Sequence, residues 1–231
     1  GICIVPLSTL ASGESLAGMI NDSEAKLLFV SDDYRDLIDP VEDQLTGLLP
    51  NGLLRLEALE EFIADASAEA VNIKPDLDWG FNLIYSSGTT GTPKGILQNR
   101  RYRAIESQVM KGLGFNENSR GLIATPLYSN TTLFFFMAIL ANGGSIHIME
   151  KFNTTKYLAI CEREKITHAV LVPVQYERLL KDPALDTTDL ASFEFKCSTS
   201  APLHKPVKQE LLERWPEGGL WEFYGMTEGG V

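Results

Sequence analysis

The sequence predicts an α/β protein of βαβ units, with mainly parallel sheets and flanking helices. Short apolar runs, many of them β-branched, alternate with longer segments of helical periodicity. Polar loops of small residues follow several of these runs, at the strand ends where open α/β sheets hold ligands. With 231 residues, 44% of them apolar, the chain can bury a substantial core.

In chain order, 2–5 and 26–30 read as strands, with amphipathic segments at 14–23 and 32–44. The stretch "LEALEEFIADASAEA" at 56–70 reads as an acidic helix with a solvated face. Residues 81–85 read as a buried strand that runs into "YSSGTTGTPKGI". Beyond it come a helix at 101–111, a strand at 121–124, a buried helix at 132–140 ("TLFFFMAIL") and a strand at 145–149. A helix at 154–164, strands at 168–172, 193–198 and 221–224, and a helix at 206–215 complete the pattern. The Gly- and Asn-rich "GLGFNENSRG" at 112–121 marks an internal boundary, giving subdomains 1–113 and 114–231.

Charge narrows the partners. The net charge is −11, and residues 1–80 hold 16 acidic side chains against 4 basic ones. An acidic chain without a basic stripe argues against nucleic acid. No apolar run approaches the ~20 residues that cross a bilayer. Cys3, Cys161 and Cys197 form no C-x-x-C pair, which points away from a disulfide frame or zinc site and toward a reducing cytoplasm. The chain opens on a strand-like run and closes within a loop, and so reads as an internal piece of a longer protein.

In the 85–96 stretch, Gly88, Gly91 and Gly95 leave backbone N–H groups unshielded. Ser86, Ser87, Thr89, Thr90 and Thr92 add hydroxyls, and Lys94 adds a point charge. Amides, hydroxyls and one ammonium suit a polyoxygen anion such as phosphate. Pro93 precedes the lysine and Gly95 follows it, so the Walker pattern fails. A second stretch, "FYGMTEGG" at 223–230, offers an aromatic face at Tyr224, a hydroxyl at Thr227 and a hard oxygen ligand at Glu228. His168 and His147 read as satisfied histidines, Cys161 and Cys197 as small core residues, and Phe134, Phe135 and Phe136 as helix packing.

"YSSGTTGTPKG" followed by "YGMTE" resembles the adenylate-forming superfamily of acyl-CoA synthetases, luciferases and peptide-synthetase adenylation domains. "TPLYSN" at 125–130, "THAVLVPVQYERLL" at 167–180 and "STSAPL" at 198–203 are similar to family segments in the same order. The resemblance implies the central part of an acyl-CoA synthetase's large N-terminal domain. Its reaction joins a carboxylate to the α-phosphate of Mg·ATP and then passes the acyl group to coenzyme A, releasing AMP. It implies that Ser86, Ser87, Gly88, Thr89, Thr90, Gly91, Thr92 and Lys94 hold the outer phosphates. Thr227 would face the α-phosphate and Glu228 would hold Mg²⁺. Ser200, Ala201, Pro202, Tyr224, Gly225 and Met226 would surround adenine, and Tyr128, Ser129 and Asn130 would border the acyl group.

Where many such synthetases carry a substrate-side histidine, this chain has Ser129. The family's ribose-binding Asp and catalytic Lys fall beyond its last residue. The implied partners are a small carboxylic acid and coenzyme A, with self-association left open. Two rivals stand beside this reading. Amino-acid adenylation would place a carboxylate in 125–132, where there is none, and a non-catalytic nucleotide sensor could dispense with Glu228.

Overall fold

The computed structural model describes residues 2–86 and 93–229. Its contacts group into two compact units, Gly1–Arg100 and Arg101–Val231. The loop segment 87–92 lies outside the described residues.

The first unit starts with helix α1, Gly13–Asp22, capped where the Ser12 hydroxyl accepts the Ser15 N–H. Leu16, Met19 and Ile20 on one face of α1 pack with Val30 and Ile38. Strand β1, Leu28–Val30, is followed by α2, Arg35–Ile38, and pairs in parallel with β2, Leu53–Arg55. The helix expected over 32–44 is broken into a 3₁₀ turn, the short α2 and a second 3₁₀ turn. Pro40 explains the break, because it has no N–H to give to a continuing helix. The acidic helix expected over 56–70 shrinks to a 3₁₀ turn and α3, Leu59–Ile63. Phe62 meets the Phe29 ring edge-on, and beyond Ile63 the segment to Ala70 offers only Ala, Asp, Ser and Glu and no large apolar face to bury.

The run at 2–5 forms no strand, only a bridge from Ile4 to Asn82. Strand β3, Gly80–Ser86, pairs with β4, Lys94–Asn99, and the pairing is antiparallel. This corrects the expectation that the glycine-rich loop leaves the carboxyl end of a parallel strand. The strands on either side of the segment pair with each other, and the register sets Ser86 opposite Lys94. Strand β4 was not expected. Its apolar residues, Ile96 and Leu97, are adjacent, so no alternation announces it.

The second unit is a five-stranded parallel sheet covered on both faces. Its elements are α4 (Arg100–Gly112), β5 (Arg120–Ile123), α5 (Asn130–Ala141), β6 (Ser145–Ile148), α6 (Thr154–Arg163), β7 (His168–Leu171), α7 (Pro173–Leu180), β8 (Phe195–Ser198), α8 (Lys205–Arg214) and β9 (Leu220–Glu222). Strand order is β6-β5-β7-β8-β9, all parallel. Alternation along the strands makes two cores. Leu122, Ala169 and Leu171 face α6, α7 and α8, where Tyr157, Tyr176, Leu211 and Trp215 are fully buried. Ile123, Val170, Phe195 and Cys197 face the other way, onto Met110 of α4 and Phe134, Phe135 and Ile139 of α5. Gly121 lets α5 lie close to the sheet, since a Cβ there would come within 2.3 Å of Ile139 Cδ1.

Candidate functional site

In the second unit, every strand of the sheet ends on the same edge, and the loops that follow carry most of the predicted site residues. The chain leaves β5 for β6 on one side and returns to β7 on the other. Such a switch opens a crevice beyond the strand ends, where ligands of open α/β sheets bind. Tyr128 and Ser129 follow β5, Ser200 to Pro202 follow β8, and Tyr224 to Glu228 follow β9. Lys94 and Ser86 sit in the first unit as facing residues of β3 and β4, and the Lys94 side chain is exposed. Ser87 to Thr92 lie outside the described residues.

Backbone contacts fasten these loops to one another. The Phe223 N–H donates to the Ser198 carbonyl at 3.0 Å, and the Leu203 N–H donates to Glu222 Oε2 at 3.2 Å. Lys208 on α8 pairs with the other oxygen of the Glu222 carboxylate. Ser200 has φ +72°, a left-handed backbone uncommon for a residue other than glycine, inside the turn predicted to border adenine. Tyr224 is 96% exposed, so its ring is not core and is open to stack on a planar ligand. Glu228 is exposed too.

The loop after β5 is held from below. Gln175 on α7 donates through Nε2 to the Ala124 carbonyl at 2.9 Å and accepts the Val172 N–H at 3.0 Å. Thr125 and Thr132 share a hydroxyl–hydroxyl bond of 2.7 Å across the start of α5. Asn130 is buried, and its Oδ1 accepts from Arg103 at 2.8 Å. Arg103 also donates to Glu106 Oε2 at 2.8 Å, so a buried ion pair on α4 ties that helix to the first turn of α5. Burial raises the Glu106 pKa, against the lowering effects of Arg103 and of the Tyr102 hydroxyl.

Beside this edge lies a cavity of about 500 Å³. Its apolar lining comes from Ile105, Val109 and Met110 of α4, Leu113 just beyond it, Phe134 of α5, and Phe223 and Tyr224 after β9. Tyr102, Glu106 and Glu222 also contribute to the lining. Phe134 packs against Phe223 with ring centroids 6.1 Å apart, so it serves both the core and the cavity wall. The α4 residues were not singled out from the sequence. Their spacing at 102, 105, 106, 109, 110 and 113 shows a helical stripe, but a stripe alone does not reveal whether it meets core or cavity.

The residues read as structural behave so. His168 is buried between the rings of Phe115 and Phe195, with Nδ1 2.7 Å from the Thr167 hydroxyl, and desolvation lowers its pKa to about 4. Cys161 and Cys197 are buried free thiols. No group of three or more potential metal-binding side chains occurs among the described residues. A magnesium ion carried by a nucleotide needs no such group, because one protein carboxylate, phosphate oxygens and water complete its shell. Glu228, exposed at the sheet edge, fits that requirement. No helix among the described residues is long and apolar enough to cross a membrane.

Comparison with known proteins agrees with this architecture. 4-Coumarate–CoA ligase 3 of Arabidopsis thaliana is 29% identical over 232 residues, which cover 95% of this chain and 41% of that protein. The N-terminal domain of FACL13 from Mycobacterium tuberculosis shares the fold with a TM-score of 0.88 at 19% identity, over 97% of this chain and 56% of that one. ATP-bound MatB from Rhodopseudomonas palustris has a TM-score of 0.82 at 27% identity, over 98% of this chain and 45% of that one. The chain therefore spans less than half of the curated relative's length. The family described as AMP-binding enzyme matches residues 1–231, the whole of the sequence, and together with the shared fold this shows that the chain belongs to it.

Proposed function

We propose that this chain supplies the nucleotide- and acid-binding core of an acid–thiol ligase, which activates a carboxylic acid with ATP and passes it to coenzyme A. One observation carries the proposal most directly. Tyr224 belongs both to the loop read as adenine-binding and to the wall of the apolar cavity, so a nucleotide and an apolar acyl group would be neighbours there. An acyl-adenylate has these two ends. The relatives support the reaction class, since one is named a CoA ligase and another structure is named as ATP-bound.

In this reading the part before about residue 113 supplies phosphate contacts, through Ser86, the 87–92 loop and Lys94. The part from 114 onward supplies adenine contacts and, together with α4, the acyl contacts. Lys94 places a mobile ammonium where charge builds on departing pyrophosphate, and Thr227 offers its hydroxyl to the α-phosphate. Glu228 would hold the magnesium ion, which when bound neutralises phosphate charge. Catalysis is then chiefly positioning and charge stabilisation of an in-line displacement. The acid is an apolar one, because Ile105, Val109, Leu113, Phe134 and Phe223 line the cavity and the 125–132 loop has no carboxylate to pair an ammonium. Buried thiols at Cys161 and Cys197 suit a cytoplasmic setting.

The test is acid-dependent exchange of pyrophosphate into ATP by the full-length protein, over a panel of fatty, aromatic and amino acids. Exchange with apolar acids is expected, and a clear preference for an amino acid would overturn the substrate class. Lys94→Ala and Glu228→Ala should each slow exchange by a loss of about 1.5–4 kcal/mol of transition-state stabilisation. Excess Mg²⁺ should partly restore Glu228→Ala and leave Lys94→Ala slow. Wild-type rates in both variants would remove these residues from the mechanism.

A further inference from the structure

The cavity lining is mostly apolar, and Tyr102 and Glu106, one helical turn apart on α4, are polar members of it beside Glu222. Glu106 is only 9% exposed, and one carboxylate oxygen is committed to Arg103. The other, Oε1, is buried and makes no hydrogen bond of normal geometry among the described residues, and the Tyr102 hydroxyl beside the carboxylate acts on it only electrostatically. A half-used carboxylate in an apolar wall is costly, and a leucine or methionine would pack there at less expense. Met110 and Leu113 make the apolar contacts of this segment, and the pairing with Arg103, which reaches Asn130 of α5, uses Oε2 alone. The terminal torsion of a glutamate is soft, so a modest rotation turns Oε1 toward the cavity while Oε2 keeps Arg103.

We infer that Glu106, with Tyr102 beside it, reads a hydrogen-bond donor on the otherwise apolar body of the acid, so that the preferred substrates are hydroxylated acids. This rests on the cavity being the acyl site of the proposed ligase. The donor is a neutral hydroxyl rather than an ammonium. Glu106 already shares its charge with Arg103, and an ammonium would leave the buried cluster with a net positive charge. A site built to bond a hydroxyl discriminates against the analogue that lacks it, because the buried acceptor is then left unpaired.

The experiment compares matched acids on the full-length protein: octanoate with 8-hydroxyoctanoate, and 3-phenylpropanoate with its ring-hydroxylated forms. Two readouts are taken, pyrophosphate exchange and calorimetric binding of the acid without ATP. At least one hydroxylated acid should exceed its parent tenfold or more in kcat/KM and in affinity. In Glu106→Gln, which keeps the shape and a bond to Arg103 but puts an amide donor where the second acceptor oxygen stood, that preference should fall below threefold. If Glu106→Gln does not fold, the paired variant Arg103→Met with Glu106→Met removes both charges at once, and there the preference should reverse toward the parent acid. Exchange without any hydroxyl preference, or a preference unchanged in Glu106→Gln, overturns the inference and leaves the ligase reading standing. Hydroxyl-dependent binding that is lost in Glu106→Gln, in a protein that exchanges pyrophosphate with no acid, supports the site and overturns the ligase reading instead.

Discussion

At the scale of single residues, burial decides what a titratable group can do. His168 sits 1% exposed among phenylalanine rings, and its pKa is held near 4 instead of the ordinary 6.5. Between these two values the unfolded chain binds a proton that the folded chain refuses. Stability linked to this group is therefore fully present above pH 6.5 and is lost as pH falls from 6.5 toward 4, by about 3 kcal/mol. Urea unfolding of wild type and His168→Leu at pH 7 and pH 4.5 would measure it. The variant should lose about 2–3 kcal/mol less between the two conditions, and equal losses would mean that His168 takes its proton in the folded state. Glu106 shows the opposite case, a carboxylate whose burial opposes ionisation and whose arginine partner favours it.

At the scale of elements, the site depends on side chains that join one element's end to another's start. Gln175 is the clearest, because it satisfies both the Val172 N–H at the head of α7 and the Ala124 carbonyl at the end of β5. Gln175→Leu would strand the buried Ala124 carbonyl and the part-buried Val172 N–H, and we expect a loss of about 2–4 kcal/mol from two unmet hydrogen bonds. The loop carrying Tyr128 and Ser129 begins one residue beyond Ala124, so amide exchange there should quicken in the variant. Protection unchanged across 124–130 would show that the loop is held by other means. The same scale explains the two helices that came out short. Pro40 interrupts one, and the other lacks an apolar face past Ile63, so neither could be extended by acidic periodicity alone.

At the scale of the whole molecule, the parallel sheet gathers loops far apart in sequence onto one edge, and the two cores on its faces hold that edge in place. The 231-residue chain covers 41% of the curated relative's length, so its own capacity is a separate question from the full protein's. We expect the isolated chain to bind Mg·AMP no more tightly than roughly millimolar, about 4 kcal/mol of favourable free energy. We also expect it to form no thioester from ATP, coenzyme A and an acid, whereas the full-length gene product should. Thioester assay of purified 1–231, checked by mass for longer contaminants, decides this. Robust turnover would show that the catalytic groups are complete within these residues.

By itself the sequence determined the α/β class, the five strands of the parallel sheet to within two residues at each end, and the loops that follow them. These are local properties: runs of β-branched residues, helical periodicity and small polar residues at strand ends. It also established the family, because "YSSGTTGTPKG" and "YGMTE" are contiguous motifs whose chemistry depends on spacing along the chain. Tertiary structure decided what pairing and burial control. Partner and direction of a strand are not written in its own residues, so the antiparallel pair of β3 with β4 and the parallel pair of β1 with β2 emerged only there. The cavity was hidden for the same reason. Whether the stripe from Tyr102 to Leu113 meets core or open space depends on where α5 and the loop after β9 come to rest, and only their packing leaves Glu106 in the cavity's lining.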